Sequence, residues 1–418
     1  MRKLTLTLLA PALLWISARA EPAIQRPETA RLFSEIESIL NELSRITGLK
    51  PLKKVESAVI TRDKVKEFLS QRLKEELEPG EVRAEEVLLK KFGFVPQNFD
   101  LAKNTIDLFT EQAAAFYDFR KKKLYVLDST PGELQKVALV HELAHALADQ
   151  HFHIDKFIRL GASSDDSSLA RMAVMEGQAV WLMSEYTARQ QGQSLGNSEA
   201  LVEIMRRATE VSAGQFPVFE ASPLYMRETM LFPYTQGLVF QHAVYRKLGQ
   251  AGFSEVFKRP PTTVQQVLHP EKYFAHAEPT NPPLPAPASE KGYKMLIDGS
   301  VGELDHAILL RQYASRSDAE EVAPHWRGGA FKVLESKDRA RSVLCYASDW
   351  DSAEAASRFF RLYRKVLEGK WKTFEVATLA PDRVTGRGDD GYFQLRLEGS
   401  RVTSIEGLPE AVSADTVR

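Results

Sequence analysis

His141-Glu142-Leu143-Ala144-His145, continuing as Ala146-Leu147-Ala148-Asp149-Gln150, is the stretch from which the rest of the chain is read. As a helix it stacks His141 and His145 one turn apart on one face. Both imidazoles can then reach a single metal ion, with Glu142 beside them facing a water on that ion. The neighbours Val137, Val140, Leu143, Ala144 and Leu147 are apolar. This helix is therefore expected to be buried, where unpaired imidazoles are costly. Its start is marked by Thr130-Pro131-Gly132-Glu133: Thr130 as cap, Pro131 at the first helical position and Glu133 closing a capping box. Asp149, one turn past His145, is placed to accept the remaining ring N–H of a ligand histidine.

A third ligand is expected downstream. Glu176 interrupts the apolar series Met172-Ala173-Val174-Met175, and Gly177-Gln178-Ala179-Val180-Trp181 follows it. An ionised carboxylate in so apolar a helix needs a strong partner, and a zinc ion is one. The small residues Gly177 and Ala179 would let this helix approach the first closely. His151 and His153 do not share a helical face with Asp149, so no second metal is expected there.

Working outward, Ala113 to Asp118 and Leu124 to Leu127 read as two strands joined by a basic turn at Lys121 to Lys123. Residues 21–109 read as a mainly helical region, with Leu32, Ile36 and Leu40 at spacing four and Val65, Leu69 and Leu73 likewise. Further helices are expected over Leu169–Gln190, Ser198–Thr209 and Tyr234–Leu248. Five prolines between Glu278 and Ser289 can neither continue a helix nor sit in a central strand, so residues 278–289 read as a linker. Beyond it, residues 290–418 alternate apolar runs with a helix over about Ser352–Leu367. The fold class is α+β: a mainly helical core over 110–277 with a small sheet, and a smaller C-terminal α+β domain.

Arg2 and Lys3, an apolar run from Leu4 to Ile16 and Ala18-Arg19-Ala20 form a secretory signal peptide over residues 1–20. An exported protein, periplasmic or secreted, is implied, with no stable membrane insertion after cleavage. Of 55 basic side chains, Arg2, Lys3 and Arg19 leave with that segment; the remaining 52 face 56 acidic ones, a formal charge of −4. Such a chain is a poor partner for nucleic acid. Cys345 is the one cysteine and allows no intramolecular disulfide. Set in the apolar run Ser342–Tyr346, it reads as a buried, inert thiol.

The pattern HELAHALADQ (141–150) followed by MEGQA (175–179) resembles the gluzincin superfamily of zinc peptidases, of which thermolysin is the best-known member. A closer likeness is to poorly characterised bacterial metallopeptidase-like proteins, often secreted or lipid-anchored. Their similar helix runs on into DQHF (149–152), preceded by FYD (116–118) and followed by segments like FPYTQG (232–237) and VLHPEKY (267–273). The resemblance spans about Glu111 to Tyr273. It implies one zinc ion held by His141, His145 and Glu176, with Glu142 as general base in the cleavage of peptide or protein substrates. It also implies a substrate-binding edge strand over 113–118. Tyr234 is the oxyanion stabiliser it suggests, and His242 and His269 are rivals. Val180 stands where many gluzincins carry an Asp one turn after the third ligand. Two other readings remain open: an exported binding or assembly protein that keeps a zincin fold without turnover, and a zinc hydrolase of a non-peptide amide or ester.

Overall fold

The computed structural model describes residues 31–76, 79–112, 114–128, 132–161 and 164–411. The signal peptide over 1–20, the helix start at Thr130 and Pro131, and Ala113 of the expected strand lie outside the described residues. Among the described residues no helix is long and apolar enough to cross a membrane.

The chain is α+β with two sheets. The first has three strands, β1 (Glu56–Ile60), β2 (Ala115–Asp118) and β3 (Lys123–Leu127), in the order β1-β3-β2. Residues 21–109 are therefore not helical throughout. Ser57-Ala58-Val59-Ile60 pairs in parallel with Leu124 to Leu127, a partner almost seventy residues away that no local pattern announces. The hairpin β2–β3 is antiparallel, with Phe116 opposite Tyr125 and Asp118 opposite Lys123. Asp118 accepts from Arg120 N and Lys121 N, which turns the chain, and from Arg72 at 2.7 Å.

The motif helix, Gly132–Phe152, packs on this sheet. The glutamate helix, Asp165–Gln190, is capped by the Ser164 hydroxyl, which accepts from Ser167 N at 3.1 Å. It packs on the motif helix and, more extensively, on a third long helix, Leu224–Leu248. The last begins ten residues before Tyr234 and runs through Pro233, so Phe-Pro-Tyr does not open a helix. A proline inside a helix forfeits one backbone hydrogen bond, and burial of Phe232, Tyr234, Leu238 and Phe240 in this packing offsets that loss.

The C-terminal strands are β4 (Tyr293–Ser300), β5 (Trp326–Ser336), β6 (Ser342–Trp350), β7 (Phe374–Leu379), β8 (Arg383–Gly388), β9 (Gly391–Glu398) and β10 (Arg401–Leu408). They form one antiparallel sheet, ordered β4-β5-β6-β10-β9-β8-β7. Because side chains alternate across a strand, Tyr346 and Trp350 of β6 face one side. There they pack on His306, Phe359 and Tyr363 of the helices Glu303–Tyr313 and Ala353–Lys370. Cys345 faces the other side with Leu334, Val343, Ile405 and Leu408. It is fully buried, and burial pushes its thiol up to about 12, so it is inert as read from sequence. The proline-rich stretch lies against this sheet. Thr280 N donates to Arg327 O, its hydroxyl donates to Asp349, and Glu290 pairs with Lys332, each at 2.8 Å.

Candidate metal centre

Three side chains from two helices converge. His141 and His145, four apart on the motif helix, bring their Nε2 atoms to 3.1 Å from one another. Glu176 Oε2, from the glutamate helix, stands 3.1 Å from His141 Nε2 and 3.2 Å from His145 Nε2. All three residues are buried, Glu176 completely. A carboxylate on the wet stripe of an amphipathic helix is therefore not what Glu176 is.

The donor set fits a metal ion. Ligands about 2.0–2.2 Å from one tetrahedral centre are spaced roughly 3.3–3.5 Å apart, and the edges of this triangle come close to that. His141, His145 and Glu176 are the one such cluster among the described residues. Unsatisfied polar atoms gather around it. His141 Nδ1, Glu176 Oε1 and both oxygens of Glu142 are buried with no hydrogen-bond partner. Buried polar atoms are nearly always paired, so four orphans at one point call for a charge or ligand among them.

Electrostatics of the bare chain point the same way. Burial pushes Glu176 up, but His145 and His141 outweigh it and take the carboxyl down to about 2. The triad thus presents a carboxylate. Burial lowers His141, favouring the neutral imidazole that metal coordination requires. Glu142 is the opposite case: burial, then the charge of Glu176, hold its carboxyl well above the usual range. The backbone N–H of Tyr117, reaching Glu142 from β2, acts in the other direction.

Glycine sets the spacing between the helices. A Cβ on Gly177 would lie 2.1 Å from Gly237 C, and one on Gly237 would lie 2.3 Å from Ala173 O. Only hydrogen fits where these backbones cross. Gly177 therefore serves the approach of the glutamate helix to Leu224–Leu248, and not, as its spacing suggests, to the motif helix. The crossing holds Tyr234, one turn before Gly237, with its ring over His141 at a centroid distance of 6.4 Å and 20° between planes. On the other flank Phe119 meets His145 edge-on at 6.1 Å.

The remaining candidates are elsewhere. His242 accepts from Trp181 Nε1 at 3.3 Å and stands 3.2 Å from Glu199. His269 pairs with Glu303 at 2.8 Å. Neither is hydrogen-bonded to the triad. His151 bonds Lys50 O. Asp149 does not orient a ligand histidine: it accepts from Tyr117 Oη, Lys122 Nζ and Ile154 N. Its place one turn past His145 was readable, but not the hairpin that approaches it. Tyr117 and Phe119 were missed as neighbours of the centre, and the run Phe116-Tyr117-Asp118-Phe119 ahead of the motif was the available signal.

A family model described as a domain of unknown function, DUF8575, matches residues 240–418. The match begins inside the helix Leu224–Leu248 and takes in neither the motif helix nor Glu176. No curated protein and no solved structure matches the chain.

Proposed function

We propose that the protein is an exported zinc-dependent peptidase of the gluzincin type, with His141, His145 and Glu176 as metal ligands and Glu142 as general base. The observation that carries this reading is the convergence of two imidazole nitrogens and a carboxylate oxygen beside a buried, unpartnered carboxylate. Zinc, when bound, supplies Lewis acidity: it lowers the pKa of water and polarises a substrate carbonyl.

The rest is work for the chain itself. Glu142 is buried with a raised proton affinity, so it takes a proton from the attacking water and delivers it to the leaving amine. Tyr234, held over His141, offers a phenol O–H to the charge that develops on the carbonyl oxygen. The strand β2 offers backbone. Leu127 N bonds Ala114 O, so by antiparallel alternation the peptide groups of Ala115 and Tyr117 turn away from β3, toward the outer edge of the sheet, where the strand is buried along its whole length. An extended peptide adds there by backbone hydrogen bonds once the elements covering the strand move aside.

A second reading, a zincin-fold binding protein without turnover, is favoured by one observation: His141, Glu142, His145 and Glu176 are at most 1% exposed. A peptide reaches them only after the surrounding helices or hairpin shift. Metal analysis of the purified protein with a peptide-library digest separates the readings. The peptidase carries one zinc per chain, cleaves, and loses metal in His145→Ala and Glu176→Gln. A full complement of zinc with no cleavage leaves the binding reading; a protein that takes up no zinc contradicts both.

A further inference from the structure

Asp149 is almost fully buried and makes three hydrogen bonds, of which two reach the hairpin β2–β3. Tyr117 Oη donates to its Oδ2 at 3.1 Å and Lys122 Nζ donates to the same oxygen at 2.6 Å. The third, from Ile154 N at 3.0 Å to Oδ1, anchors the carboxylate in the chain just past the motif helix. Lys122 sits at the hairpin tip with φ 53, a left-handed conformation uncommon for a residue other than glycine. The ion pair to Asp149 ties this tip to the motif helix.

Asp149 lies four residues past His145 and seven past Glu142, on the same helical face as both. Tyr117 spans that face: its hydroxyl binds Asp149 while its backbone N–H faces Glu142. Two residues on, Phe119 packs against Tyr117 at 5.6 Å and against His145 at 6.1 Å. The hairpin is thus fastened to the motif helix one turn past His145, and its buried outer edge is set beside the base.

We propose that Asp149, Tyr117 and Lys122 form a clamp that positions the β2 edge for substrate, making Asp149 a positioning residue for peptide binding. The clamp fixes how far the Ala115 and Tyr117 peptide groups stand from Glu142, and so the register in which an extended backbone docks. This role rests on the peptidase reading; the clamp as a structural device does not.

The test uses the full chain carrying Tyr117→Phe, Asp149→Asn or Lys122→Met. Tyr117→Phe deletes one hydroxyl, and Lys122 is half exposed, so both variants fold. Amide hydrogen exchange across residues 115–127 is read with and without zinc, and is expected to quicken about tenfold in Tyr117→Phe and Asp149→Asn. Lys122→Met quickens it less. On the fastest-cleaved member of a quenched-fluorescent peptide library, KM rises about tenfold while kcat changes less than about threefold. Zinc affinity stays at the wild-type value. Unchanged exchange in both strong variants overturns the clamp. Loosened exchange with unchanged KM overturns its role in substrate binding. A tenfold or greater loss of zinc affinity in Asp149→Asn overturns it in favour of support for a ligand histidine. A wild type that cleaves nothing defeats the peptidase reading, and the exchange result still decides the clamp.

Discussion

Replacing Gly177 by alanine adds one methyl where two backbones cross. In the present geometry that Cβ would stand 2.1 Å from Gly237 C and 2.2 Å from Gly237 O, whereas ordinary contact begins at 3.4 Å. The atoms it meets belong to backbone, so no rotamer change relieves the overlap. The two helices must separate by about 1.3 Å, the difference of the two distances, or tilt by an equivalent amount. Overpacking of a well-filled core costs about 1–3 kcal/mol, and a backbone clash belongs at the upper end of that range. The separation also moves Glu176, adjacent to Gly177, away from Tyr234, one turn before Gly237. A shift of about 1 Å between groups that must act together lowers catalysis on the order of 100-fold. Urea unfolding of the metal-free protein reads the first effect, and peptide cleavage at saturating zinc reads the second. Gly80→Ala is the control, since a Cβ there meets nothing within 4 Å inside the helix Pro79–Phe92. It sits in the first turn and is expected to unfold within about 0.5 kcal/mol of wild type. A Gly177→Ala protein that unfolds within about 0.5 kcal/mol of wild type and cleaves at full rate refutes the crossing as the device that sets the site.

Two further predictions concern the C-terminal sheet. His306 is fully buried between Gly302 O at 2.6 Å and Tyr346 Oη at 2.5 Å, and burial lowers its pKa to about 4. The unfolded chain takes up a proton near 6.5 and the folded chain only near 4, so its contribution, about 3 kcal/mol, is complete above pH 6.5 and drains as pH falls toward 4. Unfolding midpoints of His306→Gln fall less steeply between pH 7 and 4 than those of wild type; parallel slopes contradict the assignment. Lys370 Nζ lies 2.6 Å from Glu406 Oε2 with both side chains buried. Lys370→Met strands that carboxylate and costs about 3–5 kcal/mol, while Lys370→Met with Glu406→Gln recovers most of it. Equal losses in the single and double variants show that the stranded charge is not the cause.

What could be read from sequence was what helix geometry and burial determine locally. His141 and His145 share a face because four residues make about one turn, and Glu176 stood out because a carboxylate inside an apolar run must meet something. The hairpin was visible in its basic turn. What escaped depended on partners distant along the chain. Gly177 looked like a contact for the motif helix, and only the packed structure reveals Gly237 opposite it. The expected helix starts at Tyr234, just after Pro233, because the packing that sustains a helix through that proline comes from another element. Asp149 is polar and correctly spaced for a ligand histidine, but Tyr117 and Lys122 arrive from the hairpin and claim its oxygens. Strand β1 lacks a local mark because its pairing is parallel and its surface half exposed. The exposed β7, with Val376 and Leu379 facing solvent, has no buried alternation to betray it.

The central claim is that the triad holds zinc while Glu142 moves the proton. The most direct test is the rate of peptide cleavage by Glu142→Gln protein shown to carry one zinc per chain. The substitution keeps shape and leaves the three ligands in place but removes the base, so cleavage is expected to fall by about 1,000-fold or more with zinc content unchanged. Cleavage near the wild-type rate by the zinc-loaded variant would contradict the account.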